Sequence, residues 1–261
     1  MLSSTRQPIF YPMAVPKDQP EPLEKASMPF LEHLEELRKR LLRAAMAVIG
    51  CAILAFYFSD EIMAYIMKPL NGVPLNNMQV AGSFYAYMKV SLIAGLVASL
   101  PIVFYQLWSF VAPGLYRREK VTILPLVIIS TVLFIVGAAF CYYLALPMAL
   151  KFLLGFADEL ITNYITVDSY ISFLGFLMLA FGLSFQLPVL AYSLGRFGLI
   201  TSRTLAKGRR YAIVIILAIA AVVTPTPDIF TQLLLAVPMY CLYEVSIFVV
   251  KISGRREQPA A

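Results

Sequence analysis

Closely spaced carboxylates precede the first apolar stretch of the chain. Glu32 and Glu36 lie four residues apart, so on a helix they share one face. Carboxylates on one face can accept the paired N–H donors of arginine side chains, a directional contact that lysine cannot reproduce. The segment is therefore a candidate binding site for a basic ligand. The alternative is that Glu36 and Arg40, also four residues apart, form an ordinary ion pair on the helix surface.

A second candidate carboxylate lies further along the chain. Glu119 is the single acidic residue in the segment 109–120, beside Arg117, Arg118 and Lys120. It either neutralises this basic loop locally or provides a second carboxylate for a ligand with two adjacent arginines. The residues alone leave both interpretations open.

Three polar residues lie in or next to apolar stretches. Gln186 lies within a span, where its amide must find a hydrogen-bond partner. That partner is either a neighbouring helix of the same chain or a helix of another subunit, and both stay open. We expect Glu244 to lie near the membrane interface, in contact with solvent. We expect Asp228, after two prolines, to cap the last helix, and Trp108 to be an ordinary interfacial aromatic.

The composition predicts an all-α membrane protein. The 261 residues are 60% hydrophobic and 14% charged, whereas a soluble domain has about 25% charged residues. The apolar stretches predict six transmembrane helices, over about 41–58, 84–108, 121–146, 169–194, 211–223 and 229–250. The fifth stretch is about 20 Å long as a helix, short of the roughly 30 Å hydrocarbon core.

The basic residues predict the orientation of the chain. All but three of the 21 Lys and Arg residues lie in the segments 1–43, 109–120, 196–210 and 251–261. By the positive-inside rule these segments are cytoplasmic, which places both termini inside and requires an even number of spans. We expect residues 1–27 to be a disordered cytoplasmic tail, 28–250 the membrane domain and 251–261 a short cytoplasmic tail. The external segment 59–83 is rich in turn-forming residues.

Several function classes are disfavoured by the residues themselves. The single histidine, His33, and the lack of a Cys-x-x-Cys pair disfavour a metal site. There is no glycine-rich phosphate loop and no credible nucleophile–base pair, so we expect neither an enzyme nor a cofactor. The positive charge is explained by the loops and does not indicate nucleic-acid binding. A small-molecule transporter with Gln186 and Glu244 at a central site is the alternative, but it predicts inverted repeats that the sequence lacks.

Four segments, in order along residues 28–250, together resemble one family. They are Leu31-Glu-His-Leu-Glu-Glu-Leu-Arg-Lys-Arg-Leu41, Trp108-Ser-Phe-Val-Ala-Pro-Gly-Leu-Tyr-Arg-Arg-Glu119, Phe181-Gly-Leu-Ser-Phe-Gln-Leu-Pro188, and the stretch from Thr224 to Gln232. They resemble TatC, the six-span core of the twin-arginine protein translocase. The resemblance implies a concave, glove-shaped arrangement of six helices in a bacterial inner membrane, within an oligomeric complex. It also implies a receptor for the twin-arginine signal peptides of folded proteins, exported with the proton-motive force.

The same resemblance implies roles for individual residues. Glu36 and Glu119 match the signal-peptide-binding glutamates, and Arg38 matches a position needed for export. Phe110 and Pro113 match the inner-loop motif that supports this surface.

Other positions carry the resemblance in the rest of the chain. Pro69, Asp228 and Gln232 match motif positions, and single-span TatA-like and TatB-like partners are expected along the fifth and sixth helices. The family often has glutamate where this chain has Gln186. An amide cannot titrate, which favours docking of a partner helix over a proton-coupled role at this position.

Overall fold

A computed structural model describes residues 24–70, 72–73, 75–78, 80–111, 123–155, 165–224 and 228–253, with side chains from residue 33 onward. The chain divides into two compact units, Met1–Arg38 and Lys39–Ala261. The first contains the beginning of the first helix, and the second contains nearly all of the packed structure.

The described residues form ten α-helices and two very short strands. The helices are α1 Glu24–Tyr57, α2 Ser59–Ile66, α3 Gly82–Val111, α4 Ile123–Phe140, α5 Leu146–Leu154, α6 Val167–Ser184, α7 Leu187–Arg196, α8 Ser202–Lys207, α9 Arg209–Val223 and α10 Ile229–Ser253. A 3-10 turn covers Lys68–Leu70, and a turn of π-helix, here called the π-turn, covers Cys141–Ala145. The strands are β1 Leu75–Asn76 and β2 Ile165–Thr166.

The prediction of an all-α membrane protein is confirmed. Five stretches of the described chain are long and apolar enough to cross a membrane: His33–Tyr57, Gly82–Val111, Ile123–Leu154, Val167–Arg196 and Ile229–Ile252. The sixth apolar helix, α9, has 15 residues, about 22 Å at the rise of an α-helix. The predicted short fifth span is therefore present as a short helix.

Proline explains the two interruptions within the spans. The third span was predicted to end at residue 146, but it continues through a π-turn into α5, just where Pro147 has no N–H to donate. The fourth was predicted as one helix, but it divides into α6 and α7, with Pro188 in the first turn of α7. By contrast, α3 continues through Pro101.

The segments predicted to be external, 59–83 and 147–168, are more ordered than the sequence predicted. The segment 59–83 was expected to contain turns, but it folds into α2, a 3-10 turn that includes Pro69, and β1. β1 pairs in parallel with β2 from the segment 147–168, with Leu75 opposite Ile165. We call α2, the 3-10 turn, β1 and β2 the cap.

Hydrogen bonds from tyrosines hold the cap on the spanning helices. Tyr142 in the π-turn and Tyr170 in α6 donate to the carbonyl oxygens of Tyr65 and Ile66, at 2.6 and 2.7 Å. These carbonyls end α2, where the helix itself cannot provide donors. Lys89 of α3 also pairs with Asp168 of α6 at 2.5 Å.

The spanning helices approach closely at glycines. A Cβ on Gly137 of α4 would lie 2.8 Å from the carbonyl oxygen of Phe181, and one on Gly182 of α6 would lie 2.5 Å from the ring of Phe134. Such distances are shorter than real Cβ contacts. Because the atom that faces Gly137 belongs to the backbone, α4 and α6 can pack at this distance only with glycine there, whereas a Cβ on Gly182 would require the Phe134 ring to move.

Candidate functional site

The described part of the predicted peptide site lies on α1. Glu36 is half-buried and Arg38 is exposed, and residues two apart on a helix lie on nearly opposite faces. Leu34 and Leu37 are 44% and 40% exposed. An exposed apolar face beside charged residues is typical of a helix at a membrane surface.

The rest of that predicted site is only partly within the described residues. Phe110 lies half-buried in the last turn of α3. Glu119 and Pro113 lie in the segment 112–122, outside the described residues. Docking of two arginines between Glu36 and Glu119 therefore stays a prediction.

Gln186 belongs to a chain of buried hydrogen bonds that joins three spans. Its Nε2 donates to the backbone carbonyl of Ser130 in α4 at 3.0 Å, and Trp108 Nε1 of α3 donates to Ser130 Oγ at 2.9 Å. The exposed fractions of the Gln186, Ser130 and Trp108 residues are 7%, 0% and 5%. The amide donor of Gln186 and the indole donor of Trp108 thus each have an acceptor away from water, as burial requires.

The structure identifies a hydrogen-bond partner of Gln186, which the sequence left open. The Gln186 amide does bond to a neighbouring helix of its own chain, at the break between α6 and α7. Docking of a partner helix at Gln186 stays a prediction. The expectation that Trp108 is interfacial is wrong: its ring is buried, because Ser130 provides an acceptor for the indole N–H inside the protein.

Replacing Ser130 with alanine is expected to lower the free energy of unfolding by about 1–3 kcal/mol, because the Trp108 N–H would stay buried without its acceptor. Trp108 is the single tryptophan of the chain, so its emission should also shift to shorter wavelength. Ser99→Ala is the control, since Ser99 is equally buried on α3 but bonds to the carbonyl of Leu96. An unchanged Trp108 spectrum in Ser130→Ala would contradict the hydrogen bond.

Glu244 is ion-paired rather than simply solvated. Its carboxylate accepts two hydrogen bonds from Arg209, Nε and Nη2 each at 2.8 Å, and one from the Tyr240 hydroxyl at 3.1 Å. The Glu244 and Arg209 side chains are 35% and 49% exposed, and the place of Glu244 near the membrane interface stays a prediction. Because Arg209 begins α9, the pair fixes the start of this short helix on α10.

Asp228 and Gln232 form hydrogen bonds at the start of α10. Asp228 Oδ1 accepts from the backbone N–H of Thr231 at 2.6 Å, which confirms the predicted helix cap. Gln232 Nε2 donates to the carbonyl of Leu217 in α9 at 3.0 Å. Asp228 therefore caps α10, and Gln232 joins α10 to α9.

The structure brings no central transport site together within the described residues. Gln186 bonds to α4 and Glu244 bonds to Arg209 of α9, so the two side chains serve separate contacts. The part of the chain that the structure describes also holds no cluster of three potential metal ligands.

These features define a polytopic helical membrane protein with a cap bonded to its spanning helices, buried polar side chains that are hydrogen-bonded, and carboxylates near the start of its first long helix. A family model described as "Sec-independent protein translocase protein (TatC)" matches residues 32–238. The chain belongs to the TatC family.

Individual relatives agree with this assignment. A TatC from Aquifex aeolicus (strain VF5) is 40% identical over 237 residues, which cover 88% of this chain and 98% of the relative. TatC of Escherichia coli (strain K12) is 37% identical over 227 residues, covering 85% and 88%. A crystal structure described as the twin arginine translocase receptor TatC superposes with a TM-score of 0.75 at 40% identity, covering 85% of this chain and all of that one.

Proposed function

We propose that this protein is the core subunit of a twin-arginine translocation system, which binds the twin-arginine signal peptides of folded proteins for export. The observation that carries the proposal is the family match over residues 32–238, which includes both Glu36 and Glu119. Glu36 is a half-buried carboxylate on a helix with an exposed apolar face, a suitable place for a basic peptide that also enters the membrane.

The chemistry of the site follows from its carboxylates. Each signal-peptide arginine presents a planar fork of N–H donors that a carboxylate accepts in pairs. Glu36 and Glu119 receive the two arginines, Arg38 limits the net negative charge of the surface, and Phe110 and Pro113 support the loop. The apolar part of the peptide then inserts against the spanning helices.

Export requires partners and an energy source. TatA-like and TatB-like single-span proteins dock near Gln186 and along α9 and α10, in an oligomeric complex. The short α9 favours local thinning of the bilayer, which lowers the barrier to a folded cargo. The protein is not an enzyme in this proposal, and the proton-motive force drives transport.

The proposed location is a bacterial inner membrane with both termini cytoplasmic. The bacterial relatives and the concentration of Lys and Arg in four segments support it.

A twin-arginine signal peptide is expected to bind the purified protein in nanodiscs at least about tenfold more tightly than the same peptide with two lysines. Two lysines keep the charge but lose the paired hydrogen bonds, and tenfold corresponds to about 1.4 kcal/mol. Fluorescence anisotropy of labelled peptides measures both affinities. Equal affinities would contradict arginine recognition, and uptake of small solutes by vesicles containing the protein would favour the transporter instead.

A further inference from the structure

An apolar cavity of about 480 Å³ lies beneath the cap, between α3 and α4. Its volume is in the range of about 300–1,000 Å³ found for ligand pockets. Representative lining residues are Ile93, Val97, Ile135, Ala138, Tyr142 and Met178. Glu36, Arg38 and Phe110, the described residues proposed for signal-peptide binding, do not line it.

The walls of the cavity follow the spanning helices. On α4 and the following π-turn its wall extends from Ile135 to Tyr142, about 10 Å at the helical rise. On α3 it extends from Ile93 to Ala98, about 8 Å. A hydrocarbon chain that runs along the membrane normal has this direction and this polarity.

At the cap, two tyrosine hydroxyls line the cavity, and the cation of Lys68, which is not itself a lining residue, lies beside them. Tyr65 of α2 and Tyr143 both line the cavity, and their hydroxyls are hydrogen-bonded at 2.5 Å. The ammonium group of Lys68 lies 4.9 Å from the centre of the Tyr65 ring. A cation and two hydroxyls at one end of an apolar cavity are complementary to an anion attached to a hydrocarbon chain.

The tyrosine pair keeps a donor for such an anion. One of the two hydroxyls donates its proton to the oxygen of the other. The second hydroxyl therefore keeps its own proton, which it can donate to a ligand. The hydrogen bond with Tyr143 raises the pKa of Tyr65 to about 12, so that hydroxyl stays protonated at neutral pH.

We propose that this cavity binds an anionic phospholipid, with one acyl chain between α3 and α4 and its phosphate at Lys68 and the Tyr65–Tyr143 pair. The bound lipid fills space that the chain itself leaves open beside the cap. The site shares none of Glu36, Arg38 and Phe110 with the proposed signal-peptide site, so loss of lipid labelling and loss of peptide binding are tested by different variants.

Photo-crosslinking tests the proposal. Phosphatidylglycerol with a photoreactive acyl chain is added to the full-length protein in phosphatidylcholine nanodiscs, and labelled peptides are mapped by mass spectrometry. We expect labelling of residues 93–98 and 135–143 to exceed that of Ile128 and Ile129, which are exposed elsewhere on α4. A phosphatidylcholine probe with the same chain should not show this excess.

Variants distinguish the contribution of the headgroup contact from that of the apolar cavity. Lys68→Gln is expected to lower the excess labelling about fivefold, the effect of losing one lysine from an anionic-lipid contact. Lys151→Gln, which removes an exposed lysine of α5 that does not line the cavity, should leave it unchanged. Ala98→Phe, at an exposed lining position, should lower labelling by filling the cavity.

Thermal melting checks that each variant is folded. Even labelling over all exposed apolar residues, equal labelling by the two lipids, or unchanged labelling in both Lys68→Gln and Ala98→Phe would overturn the proposal.

Discussion

Replacing Glu36 with alanine is expected to weaken binding of a twin-arginine peptide by about ten- to hundredfold. A hydrogen bond between charged groups contributes about 1.5–3 kcal/mol, and each 1.4 kcal/mol is a factor of ten in affinity. Glu36 is half-buried on α1, so water screens the contact less than it would at a fully exposed site. The Glu36→Gln variant should bind the peptide almost as weakly as Glu36→Ala, because the amide keeps the shape of the side chain but loses its charge. Anisotropy of a labelled peptide measures the effect.

Glu35→Ala is the matched control for this prediction. Glu35 lies next to Glu36 on the same helix, carries the same charge and is exposed, but it points about 100° away. Its replacement should change affinity less than twofold. Equal losses in both variants would indicate a general effect of charge, and an unchanged affinity in Glu36→Ala would contradict the site.

Glu119→Ala extends the same experiment to the segment that the structure does not describe. If each glutamate accepts one arginine, the preference for the twin-arginine peptide over the twin-lysine peptide should be smaller in each single variant than in the wild type. The double variant should bind both peptides alike.

The spanning helices were largely predictable because their signal is local. Long apolar stretches can satisfy their backbone in a membrane only as helices, so composition was sufficient to place them. Even the short fifth span was visible in the sequence and corresponds to α9. The ends were less accurate: α3 extends to Val111, three residues past the expected end of the second span.

The cap was missed because its stability comes from distant partners. Pro69 and its neighbours favour turns locally, but the carbonyls of Tyr65 and Ile66 are satisfied by tyrosines 77 and 104 residues away. β1 and β2 have two residues each and form because the chain brings them together. No periodic pattern in the sequence reports such pairings.

The hydrogen-bond partners of the candidate polar residues also could not be predicted from local sequence patterns. Burial of Gln186 could be expected, but its acceptor on Ser130 depends on how closely α4 approaches the break before α7. Similarly, the pairing of Glu244 with Arg209 joins residues that are 35 positions apart. The sequence located the residues that need partners, and only packing decides which partners they find.

Replacing Gly95 with alanine is expected to lower the free energy of unfolding by about 1–3 kcal/mol, the usual effect of forcing extra volume into a close contact. A Cβ on Gly95 would lie 2.4 Å from both the backbone nitrogen and Cα of Ala52 in α1. Neither atom can move without displacing the helix. None of the residues in the apolar window of α1 is buried, so burial of its side chains does little to hold it in place. Unfolding by sodium dodecyl sulfate in mixed micelles measures the change.

Gly50→Ala separates this steric effect from the general effect of removing a helical glycine. Gly50 lies in α1 and is exposed, and a Cβ there would meet nothing within 4 Å. Alanine at this position should be neutral or stabilising by up to about 1 kcal/mol, because glycine loses more backbone freedom in a helix. Opposite signs for the two variants would show that Gly95 is required for the approach of α1 to α3. Equal effects would mean that α1 shifts freely to accept the methyl group, and the close contact would then contribute nothing to stability.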